Sequence, residues 1–366
     1  MFRKLLLGAA FLTATAAQAL ACAPNYEIQR GDSLWRIAET ELGSVWKYPE
    51  IHEMNRAVIG PDPDLILAGD VLDLPCASGV LGDIDWSVMP TPAVLATLKE
   101  KIDIQIIDIR PEQLAFTGVI PGAIWVPFED WRGPAGNEGL PRSAEHYSLL
   151  LGKTGVRLDV PTIIVHSETG PMKTGRSAYV YWVMKSLGAE NLAILRGGHK
   201  AWETAGLPIS EMARTTGTYD VSVTFSSQWR ASEAEVAAAS TGSSPAILLD
   251  ARPHQMFNRV NAAGEAVAST IPGSWSLPAT SLMNALAGEV DIEDGVDTVI
   301  DSYRDSRALA SGGDIITFCH VGELAALNWF YASELASIPN VKVYPESLNG
   351  WGRSGRQLGT GQRSGS

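Results

Sequence analysis

The sequence predicts an α/β protein built from two repeated domains that follow a smaller unit of helices and strands. Apolar runs without polar alternation, as in "PTIIVHSE" (161–168) and "DIITFCHVGE" (314–323), indicate strands buried on both faces of a parallel sheet. The same landmarks also recur in order, since "IQIIDIRP" and "VIPGAIWVP" in the first copy correspond to "AILLDARP" and "TIPGSWSLP" in the second. A chain of 366 residues accommodates two such domains and a small one.

Composition excludes several classes of function. Hydrophobic residues make up 45% of the chain, enough for sizeable cores. The formal net charge of −13 argues against a nucleic-acid partner and against electrostatic attachment to anionic lipid. Beyond the N-terminus, no segment reaches the roughly 18 to 20 apolar residues that a transmembrane helix needs. We therefore expect a soluble protein with no transmembrane segment.

The N-terminus predicts export. Residues 1–21 contain Arg3 and Lys4, then an apolar core, then Ala19-Leu20-Ala21, which together form a signal peptide with its cleavage site. The expected location is the periplasm, in association with the cell wall. Cys22 follows the cleavage site directly, so a lipoprotein anchor at Cys22 is an alternative, although Leu20 stands one place too late for a good lipobox.

Residues 22–76 form the first predicted unit. An extended stretch leads into a helix at "GDSLWRIA", capped by Asp32 or Ser33, and a second helix at "YPEIHEMNR" precedes the closing strand in "DLILAGDVLDLP". These motifs resemble the LysM domain family. The resemblance implies a βααβ fold with antiparallel strands that binds N-acetylglucosamine-containing glycan strands of peptidoglycan. The implied glycan-binding residues are Gly31, Asp32, Ser33, Leu34, Asp64, Leu65 and Ile66. A module that serves only as a spacer or protein contact is the alternative.

The chain has three cysteines. The LysM resemblance implies that the two ends of the unit lie side by side, which makes a disulfide between Cys22 and Cys76 geometrically reasonable. Such a bond would stabilise a very small domain by roughly 3–4 kcal/mol. Cys319 then remains as the free thiol. Residues 77–89 are predicted to be a linker, and the Gly/Ser-rich residues 354–366 a disordered tail.

The two large domains are predicted at residues 90–211 and 212–353. Each contains Asp-x-Arg after a strand, Ile-Pro-Gly, a second buried strand and a late tryptophan, and this order resembles the rhodanese (sulfurtransferase) family. The resemblance implies two α/β domains with parallel sheets and catalysis in the second domain only. There Cys319 holds the catalytic position, whereas the aligned residue of the first domain is His166. The first domain is therefore predicted to be non-catalytic, with a structural role for His166 favoured over a general base or a metal ligand.

The predicted chemistry is sulfur transfer through a persulfide on Cys319. The reactive form of cysteine is the thiolate, so the site must stabilise an anion. The loop after Cys319 leads into a helix predicted to begin near Leu324, and backbone N–H groups turned inward would lower the pKa of the thiol. The residues predicted to form this cradle are His320, Val321, Gly322, Glu323 and Leu324. Six residues run from Cys319 to Leu324, and the family resemblance implies that a loop of this length favours sulfur transfer over a related phosphatase.

The substrate is defined only as a class. The expected donor is a small sulfur-containing anion such as thiosulfate, and the acceptor is a thiol or a cyanide-like nucleophile. Glu323 should repel an anion unless its side chain points away, and Met256 stands where some family members carry an anion-binding arginine. Asp250 and Arg252 are interpreted as a structural pair at a strand end. No cofactor or metal is expected, and the alternative function is a non-enzymatic sulfur carrier or docking module at the cell wall.

Overall fold

The computed structural model describes residues 26–42, 48–63, 65–74, 86–214, 217–287, 292–305 and 313–360. The predicted signal peptide, both cysteines of the predicted disulfide and most of the predicted linker lie outside these ranges. No helix within them combines the length and the apolar character needed to cross a membrane. The chain divides into two compact units, Met1–Gly82 and Asp83–Ser366, which are described separately.

The N-terminal unit pairs two short antiparallel strands, with Tyr26 opposite Leu72. Its elements are β1 (Tyr26–Glu27), α1 (Leu34–Leu42), α2 (Tyr48–Met54), α3 (Arg56–Ile59) and β2 (Val71–Leu72). Ser33 accepts a hydrogen bond from the Arg36 N–H at the start of α1, at 3.4 Å, whereas the Asp32 carboxylate accepts one from the Gln29 N–H. Ser33 is therefore the cap. The predicted order of strand, two helices and strand is present, with α3 as an additional helical turn.

The larger unit contains two halves with the same element order. The first half comprises α4 (Pro92–Lys101), β3 (Gln105–Asp108), α5 (Glu112–Ala115), β4 (Ile124–Trp125), α6 (Phe128–Trp131), α7 (Ala144–Thr154), β5 (Thr162–Val165), α8 (Pro171–Ser186), β6 (Leu192–Ile194) and α9 (Gly198–Thr204). The second half comprises α10 (Glu233–Ser240), β7 (Ile247–Asp250), α11 (His254–Phe257), β8 (Trp275–Ser276), α12 (Ala279–Ala287), α13 (Ile292–Asp305), β9 (Ile315–Phe318), α14 (Glu323–Trp329), a π-helical segment (Phe330–Leu335), β10 (Val341–Val343) and α15 (Ser347–Arg353).

Each half has a four-stranded parallel sheet. The strand orders are β4-β3-β5-β6 and β8-β7-β9-β10, so the second sheet repeats the first. Every residue of β5 and of β9 is buried, which explains why their sequences are uniformly apolar or β-branched. In register, Ile107 lies beside Ile164 in the first sheet, and Leu249 lies beside Thr317 in the second. The ends of β5 and β9 thus occupy equivalent places.

The two halves share one hydrophobic core. Helix α8 of the first half packs against α14 of the second, and buried residues from both helices belong to the same apolar cluster. The rings of Tyr181 and Phe330 meet edge to face with their centroids 5.1 Å apart. The Tyr181 hydroxyl donates a hydrogen bond to Glu334 at 2.8 Å, and Lys185 forms an ion pair with the same carboxylate. The predicted domains therefore pack as one compact unit.

The structure corrects two predicted boundaries. Residues assigned to the end of the linker line the edge of the first sheet, because the Ile194 N–H donates to the Val88 carbonyl at 2.9 Å. Residues assigned to the start of the disordered tail also follow the fold. Gly359 exchanges backbone hydrogen bonds with Thr270, and the Trp351 indole donates to the Gln357 carbonyl at 3.0 Å. In both places, backbone N–H and carbonyl groups that would otherwise lack partners form hydrogen bonds with an adjacent segment of the same chain.

Candidate active site

Cys319 is the first residue after β9 and stands at the carboxyl end of the second sheet. The loop ends at Gly322, and α14 begins at Glu323, one residue earlier than predicted. Gly322 has a φ of +95°, and a Cβ at this position would lie 2.7 Å from the Pro345 carbonyl oxygen. Glycine is therefore required here both by backbone conformation and by space.

Backbone N–H groups of the loop and of the first turn of α14 lie close to the sulfur. The Gly322 N–H donates a hydrogen bond to Cys319 Sγ at 3.1 Å. Burial nevertheless raises the pKa of the Cys319 thiol, and it outweighs the backbone hydrogen bonds from Ala325, Val321 and Gly322 that lower it. The expectation that the cradle leaves this thiol with a lowered pKa is thus wrong, because Cys319 is only 2% exposed.

Ser347 is a site residue that the sequence did not single out. Its fully buried hydroxyl accepts a hydrogen bond from the Cys319 N–H at 3.0 Å and lies 3.9 Å from Cys319 Sγ. The same hydroxyl donates to the Tyr344 carbonyl at 2.9 Å, so its single proton can turn towards either the carbonyl or the sulfur. Ser347 can therefore position the loop backbone and donate to a sulfur anion.

A signal for Ser347 was present in the repeat. Its counterpart in the first half is Gly198. The N–H of the residue after Ser347 donates to the Cys319 carbonyl, and the N–H of the residue after Gly198 donates to the His166 carbonyl. Both residues have positive φ, +64° for Gly198 and +52° for Ser347. A serine in a left-handed conformation that favours glycine is strained, and such strain concentrates at functional sites.

Glu323 is directed towards the first half. Its carboxylate lies 3.1 Å from Arg132 Nη1 and 3.9 Å from Arg176 Nε. Burial raises the pKa of this carboxyl, while the two arginines oppose that effect. The Glu323 carboxylate is thus paired with two arginines that lie far away in the sequence. Its negative charge still contributes to raising the pKa of the Cys319 thiol.

The remaining predicted cradle residues differ in their surroundings. The His320 side chain is exposed, and its carbonyl accepts a hydrogen bond from the Asn349 N–H at 3.2 Å. Val321 is partly buried, whereas Leu324 lies in the shared core and is 8% exposed. Leu324 therefore supports the loop from inside.

Asp250 and Arg252 form a buried pair at the end of β7. Arg252 Nη2 lies 2.7 Å from Asp250 Oδ2 and donates to the Ser269 carbonyl at 2.8 Å. In the first half Asp108 and Arg110 form the same pair, in which the arginine donates to the Gly118 carbonyl. A pair that is present in both halves, with or without a cysteine, agrees with the predicted structural role.

In the first half, His166 occupies the position of Cys319. Its imidazole is 3% exposed, and neither ring nitrogen has a hydrogen-bond partner among the described residues. Burial lowers the pKa of His166 to about 4, so the ring is neutral at physiological pH. A Cβ on Gly198 would lie 2.5 Å from His166 Nδ1, so the glycine leaves room for the ring.

The residues predicted to bind glycan are only partly accessible. Leu34 is 2% exposed and belongs to the core of the N-terminal unit, so its side chain cannot line a groove. Ile66 packs against the same core, whereas Leu65 is 64% exposed. Asp64 lies outside the described residues. Within the described ranges, no cluster of three or more His, Cys, Asp or Glu side chains could hold a metal ion.

Comparison with known proteins adds independent findings. Residues 91–205 match the model of the rhodanese-like domain family. A 3-mercaptopyruvate sulfurtransferase of Escherichia coli K12 is 29% identical over 273 residues, which cover 70% of this chain and 92% of that protein. The "Putative thiosulfate sulfurtransferase SseB" of Mycobacterium tuberculosis is 27% identical over 281 residues, covering 72% of this chain and 93% of the relative.

Solved structures show the same fold. SseA from Escherichia coli, described as a 3-mercaptopyruvate sulfotransferase with the "Rhodanese" fold, superposes with a TM-score of 0.59 at 24% identity. The match covers 72% of this chain and 99% of SseA. An anaerobic ergothioneine biosynthesis enzyme from Chlorobium limicola superposes with a TM-score of 0.60 at 16% identity, covering 75% of this chain and 71% of that one.

These findings define the class of protein. Residues 91–205 match the rhodanese-like domain family, and the chain is similar over about 70% of its length to proteins named as sulfurtransferases. The chain is accordingly a sulfurtransferase enzyme.

Proposed function

We propose that this protein is an exported sulfurtransferase that carries a sulfane sulfur on Cys319, taken from a donor such as thiosulfate and passed to a thiophilic acceptor. One observation carries the proposal. Cys319 Sγ lies at the carboxyl end of β9 and accepts a hydrogen bond from the Gly322 N–H at 3.1 Å, whereas the equivalent position of the first half holds an imidazole.

The first half-reaction loads the sulfur. The Cys319 thiolate attacks the outer sulfur of thiosulfate, a Cys–S bond forms, the S–S bond of thiosulfate breaks, and its electron pair leaves on sulfite. The charge of the product lies on the outer sulfur of the persulfide. Backbone N–H groups of the loop and the Ser347 hydroxyl can donate to that anion, which offsets the unfavourable burial of charge.

The second half-reaction releases the sulfur. A nucleophile such as cyanide attacks the outer sulfur and forms a new S–C bond in thiocyanate. The persulfide S–S bond breaks, and its electron pair returns to Cys319 as thiolate. No external oxidant or reductant is required, because the sulfur passes between two nucleophiles at constant overall electron count.

The test is persulfide formation and transfer with thiosulfate, 3-mercaptopyruvate and a polysulfide as alternative donors, each with cyanide as acceptor. Wild-type protein should gain the mass of one sulfur on Cys319 with at least one donor, and Cys319→Ser should not. Equal activity in the two proteins would exclude Cys319 as the nucleophile. A lack of loading with every donor would favour the alternative function, a sulfur carrier or docking module.

We propose in addition that the N-terminal unit tethers the enzyme to peptidoglycan in the periplasm. The leader-like residues 1–21 and the βααβ order of the unit support this proposal. Sedimentation with purified peptidoglycan, with and without residues 22–76, should show binding only for the longer protein. Equal sedimentation of both proteins would contradict the tether.

The state of Cys22 needs a separate measurement. Mass spectrometry of the non-reduced, exported protein should contain a peptide joined through Cys22 and Cys76. A diacylglyceryl group on Cys22 would instead establish the lipoprotein alternative.

A further inference from the structure

A small cavity lies beside His166, at the carboxyl end of the first sheet. It is lined by Ile109, Arg110, Pro111, His166, Ser167, Lys173 and Arg176. The cavity belongs to the half that lacks the catalytic cysteine, and the sulfur-transfer mechanism uses none of these side chains.

Two buried polar groups at this cavity lack partners. His166 is 3% exposed, and neither ring nitrogen makes a hydrogen bond of normal geometry among the described residues, although the Glu168 backbone lies close enough to the ring to favour its protonated form. The Arg176 side chain is 34% exposed, but its Nε atom is buried and makes no hydrogen bond, because its ion pair with Glu323 spans 3.9 Å. A buried polar group without a hydrogen bond is unfavourable, so this cavity favours an occupant that can bind both groups.

The other polar groups around the cavity favour an anion. Lys173 adds an ammonium group, and Ser167 adds a hydroxyl. The 16-residue helix α8 begins here after Gly170, which provides no side-chain cap, so the positive end of the helix faces this region. Arg110 already donates through Nε and Nη2 to Asp108 and through Nη2 to the Gly118 carbonyl, so these two nitrogens are not free donors.

We propose that this cavity binds a small inorganic oxyanion, such as sulfite, sulfate or phosphate, through the His166 ring, Arg176 Nε and the Lys173 ammonium. A neutral imidazole donates one N–H and accepts at its other nitrogen, which suits a protonated or hydrated oxyanion. The cavity has room for little more than one water-sized group. Only one oxygen of the anion therefore enters the cavity, and the rest of the anion lies at its mouth beside the Lys173 ammonium.

The site communicates with the catalytic loop through Arg176. The same guanidinium forms the 3.9 Å ion pair with Glu323, the first residue of α14. A bound anion competes with Glu323 for this cation, so occupancy of the first half changes the electrostatics of the loop that carries Cys319. The anion site is independent of sulfur transfer itself, because binding requires no chemistry at Cys319.

The test uses the full chain with Cys319→Ser, so that sulfur transfer does not interfere. The six histidines are labelled with ¹⁵N, and the His166 ring signals are assigned by their loss in His166→Leu. Titration with sulfate, phosphate and sulfite, against chloride at equal ionic strength, should shift the His166 signals to saturation. Lys173→Met should weaken the affinity about tenfold, which is the effect of losing about 1.4 kcal/mol. Lys153→Met, an exposed lysine of α7, should leave it unchanged.

The relative affinities identify the anion. Tighter binding of sulfite than of phosphate would mark a sulfur-oxyanion site, and equal binding would mark a general oxyanion site. His166 signals that do not move with any of the three anions would overturn the proposal. So would calorimetric affinities that are the same in wild type, His166→Leu and Lys173→Met, since the anion would then bind elsewhere, for example at the catalytic loop.

Discussion

Arg132 Nη1 lies 3.1 Å from Glu323 Oε1, so a side chain of the first half binds the residue that starts the catalytic helix of the second. Arg132 and Arg176 both stack on the Phe128 ring, at 5.3 Å and 5.2 Å from guanidinium carbon to ring centroid. The first half therefore contributes a preorganised cationic surface to the back of the active-site loop, although it carries no cysteine.

Loss of Arg132 should destabilise the larger unit. Arg132→Met leaves the buried Glu323 carboxylate with only the longer contact to Arg176, and we expect a loss of about 2–4 kcal/mol in the free energy of unfolding. Urea denaturation measures this loss. Combining it with Glu323→Gln should recover part of it, because the unpaired charge is then absent.

The matched control for this ion pair is Arg157→Met. Arg157 pairs with Asp159 at the surface, where the two side chains are 58% and 67% exposed. Its loss should destabilise the protein far less than the loss of Arg132, because water screens an exposed ion pair. Equal losses for Arg132→Met and Arg157→Met would show that burial adds nothing to the Arg132–Glu323 pair.

Ser347 should matter more for activity than for stability. Ser347→Gly removes the hydroxyl near Cys319 Sγ but suits the φ of +52°, so we expect a stable protein whose kcat/KM falls about tenfold to hundredfold. Ser347→Ala loses the same hydroxyl and also keeps the backbone strain, so it should be less stable than Ser347→Gly. Steady-state kinetics and thermal unfolding separate the two effects. Full activity in Ser347→Gly would refute a role for the hydroxyl.

The resting thiol should react slowly at neutral pH. Burial raises the pKa of Cys319 above its ordinary value of 9.0, so the thiolate fraction should rise about tenfold for each pH unit up to and beyond that value. The rate of iodoacetamide modification, followed by mass spectrometry, should show no plateau below pH 9. A plateau near neutral pH would mean that the backbone N–H groups outweigh burial.

His166 should make stability depend on pH. Its pKa falls from 6.5 to about 4 on folding, so between these values the unfolded chain binds a proton that the folded chain does not. Stability from this group is complete above pH 6.5 and is lost as the pH falls towards 4, by up to about 3 kcal/mol. The free energy of unfolding of wild type relative to His166→Leu, measured by urea denaturation in chloride buffers, should fall as the pH falls over this range. A constant difference would contradict the neutral, buried state of the ring.

Much of the fold could be predicted from local patterns. The segments that form β5 and β9 are uniformly apolar or β-branched because both faces of each strand are buried. The repeat also aligned His166 with Cys319, and the two residues do follow equivalent strands. The start of α14 was missed by one residue because Gly322, in its left-handed conformation, ends the loop earlier than the apolar pattern suggests.

The rest of the site depends on contacts that are distant in the sequence. The hydrogen bond between Arg132 and Glu323 joins residues 191 positions apart, so no local motif could have indicated it. The sign of the pKa shift at Cys319 depends on how deeply the shared core buries the sulfur, and a loop sequence contains no information on that depth. Ser347 could have been found from the sequence, because the repeat aligns it with Gly198 and a serine at a glycine position is unusual.

Because α8 and α14 share one hydrophobic core, we do not expect the half that contains Cys319 to be stable when it is produced alone. Tyr179, Trp182 and Trp329 are fully buried and belong to the hydrophobic cluster that both halves share. A fragment that retained Cys319 alone would expose a broad aromatic surface to water, and such surfaces promote aggregation. We therefore expect the half that contains His166 to be required for the stability of the half that contains Cys319.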